Sequence, residues 1–201
     1  MKLRLSVAVV LAALLLAAPL LAQQPTPFSA DLKTTMGGGM SMDGKIYFGG
    51  AKIRMDMNSP RGATVMIVDP AQHTSYMLMP AQKMYMAMNA NTGRRRVPEL
   101  KSMDINNPCA NAPDTTCKKV GTETVNGRAT DKWEFTTKGD TSTFWIDQKL
   151  HFPIKTQAGQ ATTELTNIKE GAQPASLFEI PSDYQKMDMG GMMGGRGPGN
   201  Q

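Results

Sequence analysis

The chain has 201 residues, 40% of them hydrophobic and 6% aromatic, with a formal net charge of +5. That length fits one domain with its own core. The mild basic balance, with no aromatic residues interleaved among the cations, argues against a nucleic-acid partner.

Met1-Lys-Leu-Arg followed by the apolar run from Leu5 to Ala18 reads as a secretory leader. Cleavage is expected after Ala22, within a residue or two because Leu20 is large for the minus-three position. Lys2 and Arg4 leave with the leader, which lowers the charge by two to +3. No cysteine lies near the cleavage point, so a lipid anchor is not supported. No later apolar run approaches the ~20 residues of a transmembrane helix. The expected product is soluble, in the periplasm or secreted, with one domain over residues 23–184 and a tail over 185–201.

Phe28-Ser-Ala30-Asp-Leu32-Lys33 alternates apolar and polar, the mark of a half-buried strand, and Gly37-Gly38-Gly39 ends it. The alternation resumes over Met40–Phe48 and again over Ile53-Arg-Met55-Asp-Met57. Ala63–Val68 is apolar on both faces and therefore central. Ser75–Met79 and Lys83–Met88 make a hairpin around Pro80-Ala-Gln82. Residues 89–116 form a long break holding Arg94-Arg95-Arg96, a helical candidate over Pro98–Met103, and Cys109. The arginine cluster reads as a solvated loop, with an anionic partner as the alternative. In an oxidising compartment Cys109 and Cys117 are expected to form a disulfide, and the lack of Cys-x-x-Cys argues against a redox role.

Lys118–Val125 turns through Asn126-Gly127, a strong two-residue hairpin signal, into Arg128–Thr136. Strands follow over Thr141–Asp147, Phe152–Lys155 and Ala161–Ile168. Pro174–Phe178 suits one helical turn, and Tyr184 ends the globular part. From Gln185 the Gly- and Met-rich composition predicts a flexible tail. The fold class is all-β with minor helix: an antiparallel meander of about ten strands, enough that the sheet must curl.

Methionine recurs at alternate positions in Met40-Ser-Met42, Met55-Asp-Met57, Met77-Leu-Met79 and Met84-Tyr-Met86-Ala-Met88. Residues i and i+2 of a strand share a face. These side chains therefore form a soft sulfur-bearing surface. Methionine conforms to variable apolar partners, and its thioether is a soft ligand for Cu(I).

The order Gly121…Val125-Asn-Gly127…Thr130-Asp-Lys-Trp133, Phe144-Trp145-Ile-Asp147…Leu150…Phe152-Pro153, then Thr166-Asn-Ile168…Phe178-Glu-Ile180-Pro181…Tyr184 resembles the outer-membrane lipoprotein carrier (Lol-type) superfamily. It is most similar to a family of unknown function among secreted bacterial proteins. The resemblance implies a half-barrel: a curled antiparallel sheet, plugged by short helices, whose concave face takes acyl chains.

Three uses of the methionine face follow. It is a filled core; or it is an apolar cleft lined by Ile46, Phe48, Ile53, Met55, Met57, Met77, Met79, Met84, Met86 and Met88; or it holds copper. The cleft predicts a non-catalytic carrier or binding protein for lipid, lipoprotein acyl chains or another apolar ligand, with no cofactor and an envelope protein as a further partner. The copper alternative adds His73 and the tail residues Met187, Met189, Met192 and Met193 as ligands. Oxidant scavenging by the tail methionines is a further use of the sulfur, outside these three. An enzyme is not expected. There is no nucleophile elbow, phosphate loop or His–Glu zinc spacing, and Asp131, Glu134 and Asp147 read as wet-face or turn residues. Trp133 and Trp145 read as anchors of the fold.

Overall fold

The computed structural model describes residues 25–59, 62–89 and 115–187. The expected leader, the Arg94–Arg96 cluster, the helical candidate at Pro98–Met103, Cys109 and the tail beyond Met187 lie outside the described residues.

The strands in chain order are β1 Phe28–Thr35, β2 Ser41–Phe48, β3 Ile53–Ser59, β4 Gly62–Asp69, β5 Thr74–Met79 and β6 Met84–Asn89. After the undescribed stretch come β7 Thr115–Val125, β8 Arg128–Thr137, β9 Asp140–Asp147, β10 Pro153–Ala158, β11 Ala161–Glu170 and β12 Gln185–Lys186. They form one curled, open sheet in the order β12-β6-β5-β4-β3-β2-β1-β11-β10-β9-β8-β7. Two meanders thus meet at β1, which pairs with β2 on one side and with β11, far away in sequence, on the other. All these pairings are antiparallel except β12 with β6. Among the described residues the sheet has twelve strands where about ten were expected. It also runs two residues past Tyr184, because Gln185 and Lys186 pair with Met84 and Tyr85.

The helical turn expected at Pro174–Phe178 is a 3-10 turn over Ala175–Phe178, and further 3-10 turns stand at Gly37–Gly39 and Pro80–Gln82. Each is a single turn, the usual length of this tighter helix. Asn126 and Gly127 make the foreseen hairpin turn with φ of 50° and 77°, the left-handed conformation that a two-residue turn requires.

Directly opposite residues in paired strands share a face, so the register sorts the side chains. The main core lies on the face of Phe28. Its ring packs against Phe48 and Phe152 at centroid separations of 5.7 and 5.1 Å. Ala30, Leu32, Ile46, Ile53, Ile154 and Leu165 extend this core, and Met55, Val68 and Ile168 border it. On the face of Asp31, Val65, Ile67 and Leu78 form a second cluster with Tyr76, Tyr85 and Tyr184. The two-sided apolarity of β4 thus has two destinations, one core on each side of the sheet.

The segment after β11 supplies the cover for that second cluster. Arg54 holds it with an Nη1–H···O bond of 3.0 Å to the Leu177 carbonyl, while its Nε donates to Asp56 at 2.6 Å. Tyr184 lies on the cluster, and the amides of Gln185 and Met187 donate to the carbonyls of Lys83 and Tyr85.

Asp147 is a correction to the reading as a wet-face or turn residue. It does sit at a turn, but it is 1% exposed. Its carboxylate accepts from the amides of Leu150 and Lys149 at 2.7 and 2.9 Å and from the Arg128 Nε at 2.5 Å. Burial works to raise this carboxyl, but Arg128 and the two amides outweigh it and hold it below the usual carboxylate range. The seat pins the turn that delivers Leu150 and Phe152 into the core. Trp145, buried, donates its indole N–H to Glu123 at 2.7 Å, with Lys132 and Lys155 over its ring.

Candidate ligand-binding face

The methionines sit in short, strictly alternating strands, and β2 to β6 pair with no register shift. Parity therefore carries unbroken from Phe28 to the far edge. One row runs Phe28, Phe48, Ile53, Val68, Ser75, Met88. The next runs Ala30, Ile46, Met55, Met66, Met77, Met86. Met57 faces Gly44 and Thr64, and Met79 faces Met84. All ten candidates named from the sequence, Ile46, Phe48, Ile53, Met55, Met57, Met77, Met79, Met84, Met86 and Met88, thus lie on one face.

The face changes character along the sheet. Ile46, Phe48 and Ile53 are buried and belong to the core. From Met55 outward, Met57, Met66, Met77, Met79, Met84, Met86 and Met88 are all half-buried. The dry core stops at β3 and β4, and beyond it the surface is thioether. The polar side chains on this part of the face are Ser59, Thr64, Ser75 and Gln185, all uncharged.

Gly44 shapes this surface. A Cβ there would stand 2.3 Å from the Asp56 carbonyl oxygen, so only glycine lets β2 and β3 approach as they do at this point.

Sequence reasoning missed Met66. It sits in a run apolar on both faces, and only its register opposite Met55 and Met77 assigns it. The same register settles β5: Met77 and Met79 share the Phe28 face, while Tyr76 and Leu78 face the second cluster. Met187, placed by composition in the tail, is half-buried with its amide bound to Tyr85, one step past the pairing of Lys186 with Tyr85. Alternation from Gln185 opposite Met84 puts it on the methionine face.

Among the described residues, Met40 and His73 do not join this face. Met40 precedes β2 and is 64% exposed. His73 is exposed in the β4–β5 turn with φ of 49°. Met189, Met192 and Met193 lie outside the described residues. Cys117 is half-buried in β7 opposite Phe135, while Cys109 lies outside the described residues.

Two cavities lie elsewhere. One of about 450 Å³ lies at the β1–β11 bulge beside Asp31, Lys45, Tyr47 and Asn167. Asn167 and Lys45 donate to the Asp31 carboxylate at 2.8 and 3.0 Å and hold it below its ordinary range. The second, about 560 Å³, reaches Met57, Gly44 and Thr64 but is rimmed by Lys33, Asp43 and Asp56. Neither reaches the Met66–Met77–Met86 row. Among the described residues no group of three or more His, Cys, Asp or Glu side chains is placed to hold a metal, and no helix is long and apolar enough to cross a membrane.

The chain belongs to a family described as a domain of unknown function (DUF4412), whose model matches residues 29–151. No curated protein matches it. An uncharacterized conserved protein from Thermus thermophilus is 11% identical over 81% of this chain and 90% of its own, with a TM-score of 0.55. The MucA/MucB complex from Pseudomonas aeruginosa contains a chain that is 10% identical, with a TM-score of 0.51. The match covers 80% of this chain and 57% of that one. A LolA superfamily protein from Nitrosomonas europaea is 10% identical over 77% of this chain and 90% of its own, with a TM-score of 0.37. The family of unknown function expected from the sequence is thus the chain's own. At these identities the solved structures speak of fold alone.

Proposed function

We propose that this chain is a non-catalytic carrier of the bacterial envelope that takes an apolar or amphiphilic ligand, such as a lipid or a lipoprotein acyl chain, on the methionine face of β3–β6. The observation that carries this reading is the half-burial of every methionine from Met55 to Met88 beyond a core that is otherwise dry. A filled core would bury these side chains, and a solvated face would not be built of them. Methionine has three rotatable bonds and a polarizable sulfur, so it adapts to chains of different length and branching. The leader expected from the sequence and the resemblance of its motifs to the Lol-type superfamily support an envelope location, and an envelope protein is the natural donor or acceptor of the cargo. No cofactor is required.

The test is uptake of a fluorescent fatty-acid probe by the mature protein. It is paired with native mass spectrometry of material purified from its own envelope. Replacing Met55, Met57, Met84 and Met86 together with Glu places four charges on the surface that an acyl chain would cover. Loss of probe binding in a variant that keeps its β-sheet circular dichroism is the expected outcome. Probe retained at wild-type affinity by the folded variant refutes the assignment.

A further inference from the structure

We propose that Met66, Met77 and Met86 bind a single soft monovalent metal ion, Cu(I) or its analogue Ag(I), with Met55 at the flank. The four residues stand directly opposite one another on four consecutive strands. Neighbouring strands lie about 4.8 Å apart, so the Sδ atoms of Met66 and Met86 each need to swing across one strand spacing to meet over Met77. An unbranched side chain with three rotatable bonds can do this without moving the backbone. The Met79–Met84 pair and Met187 stand in the adjoining positions.

The chemistry selects the ion. Thioethers are neutral and soft, and they favour Cu(I) over hard or borderline dications. The polar residues on that face, Ser59, Thr64, Ser75 and Gln185, carry no charge to balance a second positive charge. Among the described residues no His, Cys or carboxylate cluster offers a competing cage. Leucine would fill an apolar face at these positions but offers no sulfur to a metal. An unbroken file of methionine from β3 to β6 is what a thioether site requires. The proposal does not rest on the apolar-ligand reading, because it is tested by metal stoichiometry and affinity and not by lipid uptake.

The experiment is titration of the mature full-length protein with silver nitrate in chloride-free buffer, followed by calorimetry and native mass spectrometry. One Ag(I) per chain is expected. The triple variant Met66→Leu/Met77→Leu/Met86→Leu conserves volume and apolarity, and its Ag(I) affinity is expected to fall at least about 100-fold. If the triple variant does not fold, the single Met77→Leu variant decides, with an expected loss of at least about tenfold. A chain ending at Met187 is expected to bind Ag(I) as the full chain does. Absence of stoichiometric Ag(I), wild-type affinity in the folded leucine variants, or binding abolished by the truncation alone overturns the proposal.

Discussion

Replacing Asp147 with Ala tests whether the buried carboxylate organises the second meander. The wild-type side chain is 2% exposed and faces Arg128, itself 22% exposed. Its removal strands the amides of Lys149 and Leu150 and leaves Arg128 with Glu170 as its remaining carboxylate, at 2.9 Å. Breaking a buried pair from one side costs about 3–5 kcal/mol. The retained Glu170 contact places the expected loss near the lower figure. For a domain of this size about 3 kcal/mol lowers Tm by roughly 6–12 °C.

The assay is thermal unfolding by circular dichroism from pH 7 down to the acid limit of folding. Asp147 has a folded pKa below its unfolded value of roughly 3.9. Its contribution is therefore full above that value and is lost as the pH falls through the lower folded pKa. The gap between wild type and Asp147→Ala is expected to be constant from pH 7 to about 5 and to narrow progressively below about 4. Other depressed carboxylates, such as Asp69 and Asp131, titrate in both proteins and cancel in the difference. A gap below about 1 kcal/mol at pH 7, or one that widens in acid, refutes the reasoning.

Three further outcomes follow from the packing. Gly44→Ala drives a Cβ into the Asp56 carbonyl, and urea denaturation is expected to show a loss of about 1–3 kcal/mol, as for other overpacked sites. Tyr184→Ala removes the ring that lies on Val65, Ile67 and Leu78. Because Tyr184 is only half-buried, the expected loss is about 2 kcal/mol, roughly half that of a fully buried aromatic. Ending the chain before Gln173 bares the same cluster, and light scattering is expected to report association that the chain ending at Met187 does not show.

Alternation alone made the methionine face legible, because side-chain parity in a strand is a local property. Met55 and Met57, or Met84 and Met86, must share a face whatever the strands pair with. Asn126-Gly127 announced its hairpin for an equally local reason. Met66 and Asp147 were not legible in this way. A run apolar on both sides, Ala63–Val68, carries no parity signal, so Met66 could be assigned only by its partners Met55 and Met77. Asp147 looks like any turn aspartate until Arg128, nineteen residues earlier, is folded against it. Gln185–Met187 read as tail because their composition is that of a tail, yet backbone bonds to Lys83 and Tyr85 draw them into the sheet.

The sequence by itself determined the all-β class, most of the strands and the gathering of methionines on one face, since each depends on neighbours within a few residues. Tertiary structure alone decided that β1 would join two meanders through β11, that the thioethers of β3 to β6 would align in a row, and that the row would lie at the border of the core. Those outcomes depend on strand register and on which surfaces lose water, and both are set by residues far apart in the chain.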